Sequence, residues 1–141
     1  MPVIGTGVDL VSVPGFAEEL RQPGTRAGSA FTAAERRDAR SLPSGSGRRT
    51  PDLEMASLAA RWAAKEAFIK AWSESLWGSP PPVGEHVHDR IEVVRDAWGR
   101  PRIRLHGEVA RRLDGVTVHV SLSHDEDLAI AFVTLSAMDA P

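Results

Sequence analysis

The chain has 141 residues, of which 42% are apolar and 26% charged, with 12 glycines, 10 prolines and no cysteine. This is the composition of an ordinary globular domain, long enough to bury a core without a disulfide or metal to hold it. The missing cysteine excludes disulfides, zinc–thiolate sites and a thiol nucleophile together. No apolar run is long enough for a transmembrane helix, and the Met1-Pro-Val-Ile-Gly5 start lacks the basic region of a signal peptide. A single domain over 1–141, cytoplasmic and free of membrane, is the expectation. The net charge of −2 argues against a general nucleic-acid binder. It is unevenly spread: residues 21–50 hold Arg21, Arg26, Arg36, Arg37, Arg40, Arg48 and Arg49 against only Glu35 and Asp38. Such a segment suits an acidic partner or is simply a solvated stretch. The only two lysines, Lys65 and Lys70, stand among 17 basic residues, so a compact ammonium is wanted where they sit.

In chain order, residues 3–10 read as a strand with Thr6, Val8 and Leu10 on one face. Gly5, Gly7 and Asp9 share the other, which the glycines leave bare for another element to approach. Pro14 opens a short helix to about Arg21. Thr32 and Glu35 form a capping box for a helix over 33–41, and residues 42–50 are a Gly/Ser loop. The longest helix has Thr50 at its N-cap and Pro51 at its first position, and runs to about Leu76. Strands over 91–94 and 102–105 pair around Trp98-Gly99-Arg100-Pro101. A short helix over 107–113 follows. Strands over 116–123 and 128–135 make a second hairpin through His124-Asp125-Glu126-Asp127. The class is α+β, one long helix on a mainly antiparallel sheet.

Met55, Leu58, Trp62, Ile69, Trp72 and Leu76 form an apolar stripe on the long helix. Glu66 falls inside it, where the helix should meet the sheet. An inward carboxylate must be paired, protonated or metal-bound; a Glu66–Lys70 i,i+4 salt bridge is the plain alternative. If this helix covers the bare face of the first strand, Asp9 converges on Glu66. Two such carboxylates with waters and substrate phosphates are how Mg²⁺ is usually held. Thr117, His119, Ser121 and Ser123 line one face of their strand and His124 follows, a row suited to phosphate or hydroxyl contacts or to a solvated sheet face. His86-Val87-His88 reads as a loop or strand edge.

Taken in order, Gly7-Val-Asp9-Leu-Val11, Phe31-Thr32-x-x-Glu35, Ala60-Arg61-Trp62-Ala-Ala-Lys65-Glu66-Ala-Phe-Ile-Lys70-Ala71, Trp98-Gly-Arg-Pro101 and Val120-Ser-Leu-Ser123-His124 resemble the holo-acyl-carrier-protein synthases, the short 4′-phosphopantetheinyl transferases, across residues 3–133. The W-A-A-K-E-A-x-x-K block is the most specific part. The resemblance implies the 4′-phosphopantetheinyl transferase fold and transfer of 4′-phosphopantetheine from coenzyme A to a serine of apo acyl carrier protein. It implies Mg²⁺ on Asp9 and Glu66, and a homotrimer with sites between subunits. Arg61, Lys65, Lys70, Ser123 and His124 match positions near the coenzyme phosphates. Lys70 would stabilise or protonate the leaving phosphate; Glu66, a metal-bound water or the His124-Asp125 pair would take the serine proton. The carrier is acidic, which gives residues 21–50 a role. Its origin in fatty-acid or polyketide synthesis stays open.

Two features depart from the family pattern. Gly15 stands where a basic carrier-docking residue is usual, and Trp77–Asp89 replaces a short Gly-rich turn. Two other functions remain to be separated from transfer: a non-catalytic carrier- or nucleotide-binding domain, and a Mg²⁺-dependent hydrolase of nucleotide pyrophosphates.

Overall fold

A computed structural model describes residues 1–41, 50–81, 84 and 86–138, with Arg26, Thr50 and Pro51 described by their backbone alone. Strand β1 (Val3–Ser12) leads into helix α1 (Val13–Arg21), where Ser12 caps by accepting from the Gly15 N–H at 3.3 Å. A 3-10 turn at Arg26–Ser29, unforeseen in the sequence, precedes α2 (Ala33–Arg40). The expected capping box starts α2: Thr32 Oγ1 accepts from the Glu35 N–H and Glu35 Oε1 from the Thr32 N–H, both at 3.1 Å. Helix α3 (Thr50–Ser75) already includes the residue expected to cap it. The loop reading over 42–50, with Arg48 and Arg49, falls on residues 42–49 outside those described. A 3-10 turn at His88–Arg90 leads into β2 (Ile91–Arg95), followed by β3 (Pro101–Leu105), α4 (Gly107–Arg112), β4 (Thr117–Asp125) and β5 (Leu128–Ser136).

The strands form two antiparallel sheets, one ordered β1-β5-β4 and the other β2-β3. Helix α3 lies on the first sheet against β1, on the face carrying Gly5, Gly7 and Asp9. A Cβ on Gly7 would stand 2.8 Å from the Ala71 nitrogen and 3.0 Å from the Ala67 carbonyl carbon. One on Gly5 would stand 3.0 Å from the Ala71 carbonyl carbon. The two glycines therefore let the helix backbone rest directly on the strand.

The packing face of α3 corrects the expected stripe. Its fully buried residues are Ala59, Ala63, Ala64, Lys65, Ala67, Phe68 and Ala71; of the expected stripe Leu58 and Trp72 are buried, while Met55, Trp62, Ile69 and Leu76 are only partly buried. Alanines and glycines permit a close helix–strand approach that large side chains would hold apart. The deepest contact consequently lies round the helix from Met55, Trp62, Ile69 and Leu76, and Glu66 sits at its flank rather than its centre.

Candidate active site

Asp9 leaves β1 and Glu66 leaves α3 to line one open cavity of about 350 Å³, together with Ser12, Phe16, Glu19 and Trp62. Asp9 is held near the helix because Gly5 and Gly7 bring β1 against it. Burial raises the Asp9 carboxyl above its ordinary value, against a hydrogen bond and charge from Lys70, and the negative charge of Glu66 pushes the same way as burial. Lys70 Nζ donates to Asp9 Oδ1 at 3.1 Å and to the Val8 carbonyl at 3.0 Å. The expected alternative, a Glu66–Lys70 pair, therefore gives way to a cross-element Asp9–Lys70 pair. Glu66 Oε1 instead accepts from His88 Nε2 at 3.2 Å, and this bond holds the Glu66 carboxyl below the usual range against the opposing effect of burial. The His88 ring stacks on Trp62, with centroids 4.7 Å apart and planes 6° from parallel.

Each carboxylate thus has one oxygen engaged by a protein donor. The other, Asp9 Oδ2 and Glu66 Oε2, has no hydrogen-bond partner among the described residues. Two hard oxygen donors facing one open cavity suit a magnesium ion that keeps several waters and shares substrate phosphates. No group of three or more His, Asp or Glu side chains able to hold a metal occurs among the described residues.

The other cations matched to coenzyme phosphates are placed differently. Lys65 is wholly buried: its Nζ donates at 2.7 Å each to Glu35 Oε1, the His88 carbonyl and the Ile91 carbonyl. Burial lowers its pKa, opposed by the Glu35 charge. Arg61 is also buried and donates to Ser57 and Asp38, the latter shared with Arg95 at 2.9 Å. Arg61 and Lys65 therefore hold α3 to α2 and β2, turned away from the cavity that Asp9 and Glu66 line. Glu35, read as a capping residue, is the hub of this interior: its Oε2 accepts from the Val93 N–H at 3.0 Å.

Ser123 is not brought to Asp9. The register aligns Ser123 with Ile130 and Leu10, and Asp9 with Ala131 and Leu122, so Ser123 and Asp9 occupy opposite faces of the sheet. His124 shares the Asp9 face but is exposed on β4, separated from β1 by the width of β5. Part of the basic segment is already engaged. Arg36 donates to the Gly28 carbonyl and lies over the Phe31 ring, and Arg40 Nε is 3.4 Å from Glu54. Arg37 is exposed, as is Arg21, which pairs with Glu18 at 3.1 Å. Sequence reasoning missed His88 and Trp62 as site residues. The His86-Val-His88 spacing was visible, but only the fold carries it back to Glu66.

The 4′-phosphopantetheinyl transferase superfamily profile matches residues 5–133. Among curated relatives, the holo-[acyl-carrier-protein] synthase of Mycobacterium ulcerans is 52% identical over 135 residues, covering 96% of this chain and 98% of its own length. Among solved structures, the acyl carrier protein synthase of Mycobacterium tuberculosis superposes with a TM-score of 0.76 at 46% identity, covering 96% of this chain and 99% of its own. The ACPS–CoA complex of Chronobacterium ammoniagenes superposes with a TM-score of 0.85 at 39% identity, covering 99% and 100%. The fold and the relatives it matches define an enzyme of the transferase class. The chain belongs to the 4′-phosphopantetheinyl transferase superfamily, as the sequence resemblance implied, and its close relatives carry the holo-[acyl-carrier-protein] synthase name.

Proposed function

We propose that this chain, acting as one domain over 1–141, transfers 4′-phosphopantetheine from coenzyme A to a serine hydroxyl of an apo acyl carrier protein. The serine Oγ–phosphorus bond forms on the phosphate that carries pantetheine, as the hydroxyl proton passes to Glu66, a water on the cation or the His124-Asp125 pair. The pyrophosphate bond breaks, and adenosine 3′,5′-bisphosphate leaves. The observation that carries this reading is the Asp9–Glu66 pair facing one cavity in a chain that matches holo-acyl-carrier-protein synthases over nearly its whole length. Asp9 and Glu66 would hold Mg²⁺, which when bound supplies positive charge to the pyrophosphate. Lys70, half exposed, one turn beyond Glu66 and bonded to Asp9, is placed to donate to the leaving phosphate. Phosphoryl transfer is chiefly positioning and charge stabilisation, and these three residues supply both.

The proposal extends to assembly. Val8, Leu10, Leu128, Ile130 and Phe132 expose an apolar band across the sheet face opposite α3. Monomers rarely leave so contiguous an apolar face open. Ser123 and Asp9 lie on opposite faces, so a site that uses both takes them from two copies. The reading is a homotrimer with sites between subunits; the number three rests on the family resemblance. A cytoplasmic location and a carrier from fatty-acid or polyketide synthesis belong to the same reading. No helix among the described residues is long and apolar enough to cross a membrane.

The test is a mass measurement on apo carrier protein after incubation with coenzyme A, Mg²⁺ and this chain. Gain of one phosphopantetheine mass supports transfer. Release of adenosine bisphosphate without a carrier would indicate a pyrophosphate hydrolase, and no turnover a binding domain.

A further inference from the structure

His88 stands at the end of Trp77–Asp89, the stretch that departs from the short turn usual in the family. It is held there from two sides. Its carbonyl accepts from buried Lys65 Nζ at 2.7 Å, and its ring lies flat on Trp62. Trp62 in turn packs on Phe16, at 6.1 Å between centroids, and Phe16 packs edge-on against Phe31 at 6.1 Å. The ring is therefore fixed in position and in plane before it meets Glu66. An ionised carboxylate can only accept, so His88 Nε2 carries the proton of the 3.2 Å bond to Glu66 Oε1. That bond fixes the rotation of the Glu66 carboxylate and leaves Oε2 without a partner among the described residues. Lys70 does the same for Asp9 through Oδ1.

We propose that His88, clamped between Lys65 and Trp62, is a positioning residue that orients Glu66 Oε2 for a divalent cation in the cavity shared with Asp9. It touches neither substrate nor cation. Groups that hydrogen-bond to metal-ligating carboxylates fix ligand geometry, and losing them typically costs roughly 10–100-fold in metal affinity or activity. The proposal rests on the transferase reading in that it takes Asp9 and Glu66 as the cation ligands. His88, at the end of the longer Trp77–Asp89 stretch, thereby brings a donor to the carboxylate that the long helix presents.

The experiment compares the full chain with His88→Phe, which keeps a ring on Trp62 but lacks the donor, and His88→Gln, which restores an N–H of similar reach. Mn²⁺ binding is followed by electron paramagnetic resonance without coenzyme, and the Mg²⁺ dependence of transfer is measured at saturating coenzyme A and carrier. His88→Phe should weaken Mn²⁺ binding by roughly 10–100-fold and raise the half-activating Mg²⁺ concentration in step. The Michaelis constant for carrier and the melting temperature should change little, and His88→Gln should recover most of the loss. Unchanged Mn²⁺ affinity in a folded His88→Phe overturns the positioning role while leaving the transferase reading intact. Loss of melting stability in both variants, with metal affinity scaling with the folded fraction, overturns it in favour of a purely structural residue. A parent chain that binds no Mn²⁺ overturns the ligand assignment, and if it also fails to modify carrier, the transferase reading falls separately.

Discussion

Asp9 shows how a functional residue can cost stability. Its carboxyl is partly buried against α3 and near a second carboxylate, so the folded chain holds the Asp9 proton more tightly than the unfolded chain, whose value is near 3.8. A carboxyl raised in this way favours the fold less as pH climbs from about that value through the raised one. In chelator, Asp9→Asn should therefore melt at a higher temperature than the parent at neutral pH. The gain should disappear below the ordinary carboxyl range, where both chains are neutral at this position. The Asn oxygen can still accept from Lys70, so the packing of β1 is kept. Transfer should fall on the order of a hundredfold or more, the scale of losing a group that stabilises developing charge, and Glu66→Gln should behave likewise with the fold intact. Melting curves across pH and carrier mass analysis check both parts; a lower melting temperature for Asp9→Asn at neutral pH would contradict them. Asp9 and Glu66 were legible because an isolated carboxylate on an otherwise bare or apolar face has few explanations. Lys65 was legible only as an oddity. A lysine's flexible stem lets Nζ leave the line of its helix, so helix angle alone did not show that it would turn to Glu35 and two carbonyls.

At the scale of elements, the contact that makes the site is β1 against α3. The alternation of Gly5, Gly7 and Asp9 and the spacing of the Glu66 helix pointed to this contact. The pattern placed Leu58 and Trp72 in the core but also put Met55, Trp62, Ile69 and Leu76 there, which only flank it. Apolar stripes are read from large residues, whereas the real contact is made by Ala63, Ala67 and Ala71, whose small size is what the two glycines require. Gly7→Ala should expose this dependence. Its Cβ would be driven into the backbone of α3 at Ala67 and Ala71, which no side-chain rotation relieves, and overpacking of this kind costs about 3 kcal/mol. That corresponds to a fall of roughly 10 °C in melting temperature for a domain of this size. Transfer should suffer even below the melting transition, because Asp9 lies two residues along the displaced strand. Gly28→Ala, where the nearest atom beyond its chain neighbours is Thr25 Cγ2 at 3.8 Å, is the control expected to leave both stability and transfer nearly unchanged.

Over the whole molecule, one sheet carries two different surfaces. The face toward α3 is closed by alanines and glycines and ends at the Asp9–Glu66 cavity. The other runs Val8, Phe132 and Ser121 across one row and Leu10, Ile130 and Ser123 across the next, with the large side chains well exposed. This two-sidedness was visible in the sequence of β1 and β4, but not in the continuously apolar β5. The register that lines the rows up was not, because it depends on how the hairpin turns at Glu126-Asp127 and on β5 inserting between β1 and β4. If copies of the chain close this face, a charge at its centre should separate them without harming the single chain, where the position is open to water. Phe132→Glu should then keep its circular dichroism but sediment at the mass of one chain, while the parent sediments at three with a melting temperature that rises with concentration. Transfer should be lost with assembly, because Ser123 of one copy would no longer meet the Asp9–Glu66 cavity of the next. A parent of single-chain mass with full transfer at the same micromolar concentration would refute the shared site and leave Asp9, Glu66 and Lys70 to act within one chain.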